Sequence, residues 1–366
     1  MPDRRLWRHF DYVLLVGLAL LIIAGVAMIY SASRGDPELS RAPTDQAITA
    51  LLGMILILII SIFDYTLFKN ITVGLYAIVI VSLVLVLLVG TERNGARRWF
   101  TFASFDVQPA EIAKLLLGIV LAKFVADREG KRPYLETIAL SFLLILPCLV
   151  LIQRQPNLSS VIIILFMWLA IIFVGGLERK QVLLIAIVAI AMVFLVIELG
   201  LIKQYQIDRL NQLLNINVEP GDKYQSDQAL IALGSGGWFG QGFAQGQQSQ
   251  LRFLPVRHTD FIFSVIGEEL GLVGALVFIL LLAFLIYRSL RVAWVARDTF
   301  GRLLCVSVAA VLFLQTYINL GMQVGIMPVT GVVLPFVSYG RSNLLTAMAS
   351  IGIVESVIMR YKKLEF

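Results

Sequence analysis

The sequence predicts an all-α polytopic membrane protein of about ten transmembrane helices. Three observations carry this. Of its 366 residues, 59% are hydrophobic and only 15% are charged, whereas a soluble chain carries about 25% charged residues. Apolar stretches long enough to cross a bilayer as a helix recur along the whole chain. Glycine, proline and polar residues gather into a few breaks between them. The pattern leaves no room for a separate soluble domain, so residues 1–366 are expected to form one integral-membrane domain.

The spans follow in order. Arg4, Arg5 and Arg8 precede the apolar run 11–31, which is too long for a signal peptide and is expected to stay as the first span. Further spans are expected at 47–64, 71–89 and 109–126, the last opened by Gln108-Pro109, with proline suited to a first helical turn. Spans 137–153 and 158–175 are separated only by Gln153-Arg154-Gln155-Pro156-Asn157. A seventh span is expected at 180–199. Residues 200–259 form the one large loop, with Gly234-Ser235-Gly236-Gly237 and Gly240-Gln241-Gly242 inside it. The eighth span, 260–287, would be about 42 Å long at 1.5 Å per residue. The hydrocarbon core is about 30 Å thick, so this helix must tilt or protrude. Spans at 302–324 and 341–359 follow. Between them, residues 325–340 are apolar yet rich in glycine and proline, and irregular backbone at that depth needs protein or a wet cavity around it.

Ten crossings put both termini on one side. Lysine and arginine are more numerous on the side that holds the termini, so both are expected in the cytoplasm. The breaks, the large loop and the start of the eighth span then face the exterior. The net charge of +6 reflects basic loops rather than nucleic-acid binding. Cys148 and Cys305 both fall in apolar stretches and read as small packing residues, neither disulfide nor metal ligands.

Four groups of residues could carry chemistry. Asp260 opens the eighth span, and a carboxylate at the mouth of a membrane helix needs a partner or a task. The residues alone leave open whether Asp260 caps the helix or acts as a catalyst. Asp260, Ser264, Gly267, Gly271 and Gly274 recur at spacings that share one helical face, which suits either close helix packing or a groove for a lipid chain. Glu268 and Glu269 lie deeper and are expected to pair with a cation or backbone groups. Glu111 and Lys114 share a face of the fourth span. Arg93, Arg97 and Arg98 precede Trp99 in an external loop, and a guanidinium fork suits phosphate oxygens. Arg209 and Arg257 are further external cations.

The run Gln248-Ser249-Gln250-Leu251-Arg252-Phe253-Leu254-Pro255, continuing through His258-Thr259-Asp260-Phe261-Ile262-Phe263 to Gly267-Glu268-Glu269-Leu270-Gly271, resembles the SEDS family (shape, elongation, division and sporulation), and most nearly its RodA branch. Asn94-Gly95-Ala96-Arg97-Arg98-Trp99, Gln108-Pro109-Ala110-Glu111-Ile112-Ala113-Lys114 and Leu334-Pro335-Phe336-Val337-Ser338-Tyr339-Gly340 extend the resemblance over nearly the whole chain. It implies a ten-span peptidoglycan glycosyltransferase of the bacterial cytoplasmic membrane. Such an enzyme polymerises lipid II at the outer face, with a class B penicillin-binding protein, a transpeptidase, as partner. The family's essential aspartate falls on Asp260 and its Glu–Lys pair on Glu111 and Lys114. Undecaprenyl-pyrophosphate-linked glycan is the implied donor. Arg98, Lys114, Arg209 and Arg257 are the candidates to stabilise the departing diphosphate, and a divalent cation (Mg or Mn) is a further candidate, although the sequence shows no dedicated metal cluster. The alternatives are a lipid II flippase or a non-catalytic scaffold for a transpeptidase.

The chain departs from the family pattern in places. The usual Gln-Pro-Asp is here Gln155-Pro156-Asn157, and the usual Tyr-Gly-Gly-Ser is Tyr339-Gly340-Arg341-Ser342. Gln-Pro-Ser-Glu has become Gln108-Pro109-Ala110-Glu111, and a Leu-Asp-Pro element after Arg209 is reduced to Leu214-Asn215-Ile216.

Overall fold

A computed structural model describes residues 6–93, 96–102, 105–130, 134–176 and 224–361, with the single positions 181, 207 and 211. Its helices are α1 (Tyr12–Ser33), α2 (Ala42–Ile62), α3 (Leu67–Val89), α4 (Pro109–Ala126), α5 (Tyr134–Arg154), α6 (Leu158–Val174), α7 (Tyr224–Ser235), α8 (Ile262–Val295), α9 (Thr299–Gln323) and α10 (Arg341–Ile358). Every expected span within the described residues falls on one of these helices. The expected seventh span, 180–199, lies outside them, as do Arg209 and 214–216. Among the described residues, six helices are long and apolar enough to cross a membrane: α1, α2 with its preceding turn, α3, α5, α8 and α9. The chain is a multi-pass helical membrane protein.

The helices sort into a centre and a rim. α9 is buried along most of its length and packs against α4, α6, α8 and α10. α3 shows the opposite pattern, with Val73 82% and Val89 71% exposed. Apolar side chains that face outward from a spanning helix face lipid, because the helix already satisfies its own backbone. The termini of the helices are set by local chemistry. Asp11 and Asp298 accept from the backbone amides of Leu14 and Gly301 at the starts of α1 and α9, and Pro109 takes the first position of α4, where no amide is needed.

The region between α3 and α4 holds an element that the apolar pattern did not anticipate. β1 (Thr91–Arg93), β2 (Ala96–Phe102) and β3 (Phe105–Val107) form a small antiparallel sheet. It sits beside α3, α4 and α10 and carries Arg98 and Trp99 to the mouth of the bundle.

The eighth span is not the continuous helix expected over 260–287. α8 starts at Ile262, and Gly271 inside it has φ 68° and ψ −169°, which breaks the helical path. The loop after α7 fills the break. Gln241 and Gly242 donate to the carbonyls of Glu268 and Glu269 at 2.9 and 3.0 Å, and the amides of Leu272 and Val273 donate to Gly237 and Trp238 at 2.9 and 3.2 Å. The polar backbone groups freed at the break are thus re-satisfied by a neighbouring segment, as burial demands. Only glycine allows this approach. A Cβ on Gly271 would lie 2.3 Å from the Gly240 nitrogen, and one on Gly240 would lie 2.1 Å from the Glu269 carbonyl oxygen.

Candidate active site

Asp260 sits in the turn just before α8, clamped by the irregular segment between α9 and α10. Asn319 of α9 donates to the Asp260 carbonyl at 3.0 Å and to the Val332 carbonyl at 2.6 Å. Ser338 donates to the Thr259 carbonyl at 2.6 Å and accepts from the Leu334 amide at 2.8 Å. Tyr339 donates its amide to the His258 carbonyl at 2.9 Å. Residues 325–340 are therefore non-helical, as their composition predicts, and their backbone is tied to the turn that presents Asp260.

The carboxylate opens into a cavity of about 450 Å³. Its wall includes Asp260 together with Arg98, Glu111 and Lys114, three residues far from it in the chain that the sequence had also singled out. Lys114 donates to Glu111 at 2.8 Å, and the second oxygen of Glu111 accepts from Asn343 of α10 at 2.6 Å. Arg98 donates through Nε and Nη2 to the carbonyls of Gln155 and Pro156 at 2.7 and 2.6 Å, which explains how the short polar break between α5 and α6 serves the site. Among the described residues, no Lys or Arg forms an ion pair with Asp260.

Burial pushes the Asp260 carboxyl up from 3.8 to about 6, and a hydrogen bond with Thr259 works in the opposite direction. Burial, followed by the charge of Arg257, pushes the neighbouring His258 imidazole down to about 4, so this ring is neutral near pH 7. A carboxylate that titrates close to neutrality is suited to proton transfer.

Three helix N-termini also converge on the cavity. Gln108 and Glu111 belong to the start of α4, Asn157 and Ser160 to the start of α6, and Gly340, Arg341, Ser342 and Asn343 to the start of α10. Neither Gln108 nor Gly340 caps its helix with a side chain. The positive ends of three helix dipoles therefore face one space, and such ends favour anions.

Arg257 is absent from this wall, which corrects its expected place beside the diphosphate. It lies three residues before Asp260, but the intervening turn directs it the other way. Its Nε donates to the Ala32 carbonyl at 2.5 Å, and Nη2 lies 3.6 Å from Asp36. The side chain is a buried strut between α1 and the turn. Arg209 lies outside the described residues.

Of the two readings left open for the small-residue face of α8, the contacts of Ser264, Gly267 and Gly271 are those of close packing. Ser264 bonds Gln323 of α9 through its amide and hydroxyl at 2.6 and 3.0 Å. A Cβ on Gly267 would meet the Leu233 side chain of α7 at 2.4 Å. Glu268 and Glu269 have the backbone partners expected of them. Glu268 accepts from the amides of Gln248 and Ser249 at 2.6 and 3.1 Å. Glu269 accepts from the Ala244 amide at 3.0 Å and from the Ser31 hydroxyl at 2.5 Å. Both glutamates hold the loop after α7 onto α8.

Several wall residues escaped the sequence reading. Asp106, Gln315 and Arg341 line the cavity, and neither Asp106 nor Gln315 lies in a run that marks it as functional. For Arg341 a signal existed, since a cation interrupts the Tyr-Gly-Gly-Ser pattern. Among the described residues, no group of three or more His, Cys, Asp or Glu side chains could hold a metal ion.

Comparison with known proteins places the whole chain. The cell cycle protein model for FtsW, RodA and SpoVE matches residues 9–363. The peptidoglycan glycosyltransferase MrdB of Escherichia coli (strain K12) is 36% identical over 357 residues, covering 97% of this chain and 95% of that relative. A chain from a peptidoglycan synthase complex, solved to show how polymerization and crosslinking are coordinated, superposes with a TM-score of 0.82 at 31% identity, covering 96% of this chain and 98% of that one. The rod shape determining protein RodA of Thermus thermophilus superposes with a TM-score of 0.72 at 30% identity, covering 97% and 98%. On this family match, and on its agreement with the fold, the chain belongs to the FtsW/RodA/SpoVE family.

Proposed function

We propose that this chain is a peptidoglycan glycosyltransferase that polymerises lipid II at the outer face of the bacterial cytoplasmic membrane, with both termini inside. The observation that carries the reading is the shared cavity. One carboxylate, Asp260, faces the same space as Arg98, Lys114 and three helix N-termini. A base and an anion cradle in one enclosure are what a sugar transfer from a diphosphate requires.

Asp260 takes the proton from the GlcNAc 4-hydroxyl of the incoming lipid II. The freed oxygen pair attacks the anomeric carbon of the glycan carried on undecaprenyl pyrophosphate, with inversion. The bond to the diphosphate breaks, and its electrons leave with the diphosphate. That group departs without a proton, so no second carboxyl is needed as an acid, unlike in glycoside hydrolysis. Developing negative charge is stabilised by Lys114 and Arg98 and by the amide ends of α4, α6 and α10. Glu111 fixes Lys114, and Asn343 fixes Glu111.

The synthase complex named among the structural relatives supports a crosslinking transpeptidase of the class B penicillin-binding type as the partner. A divalent cation is a further candidate for stabilising the leaving charge.

The test is purified Asp260→Asn protein given labelled lipid II already on the outer leaflet. No glycan from a folded variant, with polymer from the wild type, supports the reading. Normal polymer from Asp260→Asn removes the general base. Transport of lipid II without polymer from the wild type favours a flippase instead. A wild type that neither polymerises nor transports, yet still recruits the transpeptidase, favours a scaffold.

A further inference from the structure

The cavity wall contains a cation that the proposed chemistry has not yet used. Arg341 is the first residue of α10 and lines the cavity. Its guanidinium pairs with Asp45 of α2 and stands 6.0 Å from the centre of the Phe105 ring on β3. Asp45 is not part of the cavity wall. Asp45 and Phe105, neither of them a wall residue, thus flank the side chain at the cavity edge.

A cation at this position works against local electrostatics. The first turn of a helix presents the positive end of its dipole and favours anions. Arg341 adds a positive charge there, in a wall that also holds two other helix N-termini, the cations Arg98 and Lys114 and the carboxylates Asp106, Glu111 and Asp260. Asp45 offsets this charge from outside the wall, and an anion in the cavity would meet the guanidinium from the other side. The second departure from the family pattern points the same way. Asn157 stands where an aspartate is usual, caps α6 by accepting from the Ser160 amide at 3.2 Å, and lines the same cavity. One substitution removes a negative charge and the other adds a positive one. They lie 184 positions apart in the chain, yet the fold puts both in one wall, and both make that wall more positive.

We propose that Arg341 is a diphosphate-binding residue of this cavity and that, together with Asn157, it tightens the hold of this chain on the diphosphate of its donor and product. The inference rests on the reading of the chain as a glycosyltransferase with a diphosphate-linked donor. The guanidinium fork can meet two phosphate oxygens at once, which a point charge does not do.

The test uses the purified full chain, labelled lipid II and inorganic pyrophosphate as an inhibitor. Arg341→Gly is expected to weaken pyrophosphate inhibition by about tenfold and to raise KM more than it lowers kcat, as loss of a charge-assisted hydrogen bond predicts. Arg341→Lys should recover part of the inhibition, and Asn157→Asp should weaken it in the same direction. Asp45→Asn separates binding from mere fastening of α10 to α2, because it breaks the ion pair and keeps the guanidinium. Unchanged inhibition in Arg341→Gly, with polymer from the wild type, overturns the inference and leaves the glycosyltransferase reading intact. A loss in Asp45→Asn equal to that in Arg341→Gly also overturns it, since fastening alone would then account for the effect. Should Arg341→Gly fail to fold, unchanged inhibition in both Arg341→Lys and Asn157→Asp overturns it as well. No polymer from the wild type would instead sink the underlying reading.

Discussion

Replacing Glu111 by Gln separates the structural role of the buried ion pair from its chemical one. Lys114 and Glu111 are 2.8 Å apart, and their side chains are only 3% and 11% exposed. An exposed pair contributes about 0–1 kcal/mol. A buried pair that loses one partner costs about 3–5 kcal/mol, because the other charge stays buried without compensation. Both residues border the cavity, where water can partly solvate the orphaned ammonium, so the lower end of that range, about 3 kcal/mol, applies. Glutamine also keeps an oxygen for the Asn343 amide, so the loss reports the charge rather than that hydrogen bond. The double variant Glu111→Gln with Lys114→Met removes both charges and should return to within about 1 kcal/mol of the wild type, since uncharged replacement of a whole buried pair is often neutral. Polymerisation should not return, because the cation is gone. The assay pairs unfolding in detergent micelles with lipid II turnover on the same preparations. A Glu111→Gln protein as stable as the wild type would refute the buried-charge argument. A double variant that polymerises normally would refute the role of Lys114.

Four further outcomes follow from the site's electrostatics and geometry. Polymerisation should rise with pH through about 6, since Asp260 is a base only when ionised; a flat profile between pH 5 and 7 would count against it. The stability effect of the same group has the opposite sign. A carboxyl raised in the folded state favours folding while protonated and loses that contribution as pH climbs from its ordinary value to about 6, so Asp260→Asn should gain stability over the wild type at pH 7 but not at pH 3. Gly271→Ala forces a Cβ to 2.3 Å from the Gly240 nitrogen at a positive φ, and should detach the 236–242 loop, read as faster proteolysis there and a loss of at least about 1–3 kcal/mol. Arg257→Gln should lower thermal stability through the lost contacts to Ala32 and Asp36 while the folded protein keeps its KM for lipid II, in contrast with changes at Lys114.

Much of the fold was legible because membrane helices are written in a simple code. A run of apolar residues of sufficient length can satisfy its backbone in lipid only as a helix, and the ends of α4, α5 and α6 fell within a few residues of expectation. The break in α8 was not legible. Glycine at 267, 271 and 274 reads as close packing in any membrane helix, and nothing near 271 says that the partner is a loop some thirty residues upstream whose amides complete the broken ladder. The small sheet was hidden for a related reason. Its strands are short, and their pairing partners matter more than their composition.

The cations of the site show where sequence reasoning stops. Arg257 and Asp260 are three apart, a spacing that shares a face on a helix. The residues between them form turns, so the spacing carries no such meaning, and the guanidinium crosses to α1 instead. Arg341 is 81 positions from Asp260, at the start of a different helix, and it shares the cavity. Proximity along the chain predicts proximity in space only inside a regular element. This candidate site is built largely from element ends and irregular backbone: the turn before α8, the N-termini of α4, α6 and α10, and residues 330–333 between α9 and α10, with Arg98 and Trp99 from β2. Ends are where unpaired amides and irregular backbone collect, so they are where a membrane bundle can bind an anion without a dedicated polar domain. The same property makes their side-chain directions depend on tertiary contacts, such as the Asn319 and Ser338 clamps on the Asp260 turn. The charges needed for the chemistry could be read from residue types, but which of them meet is decided by the clamps.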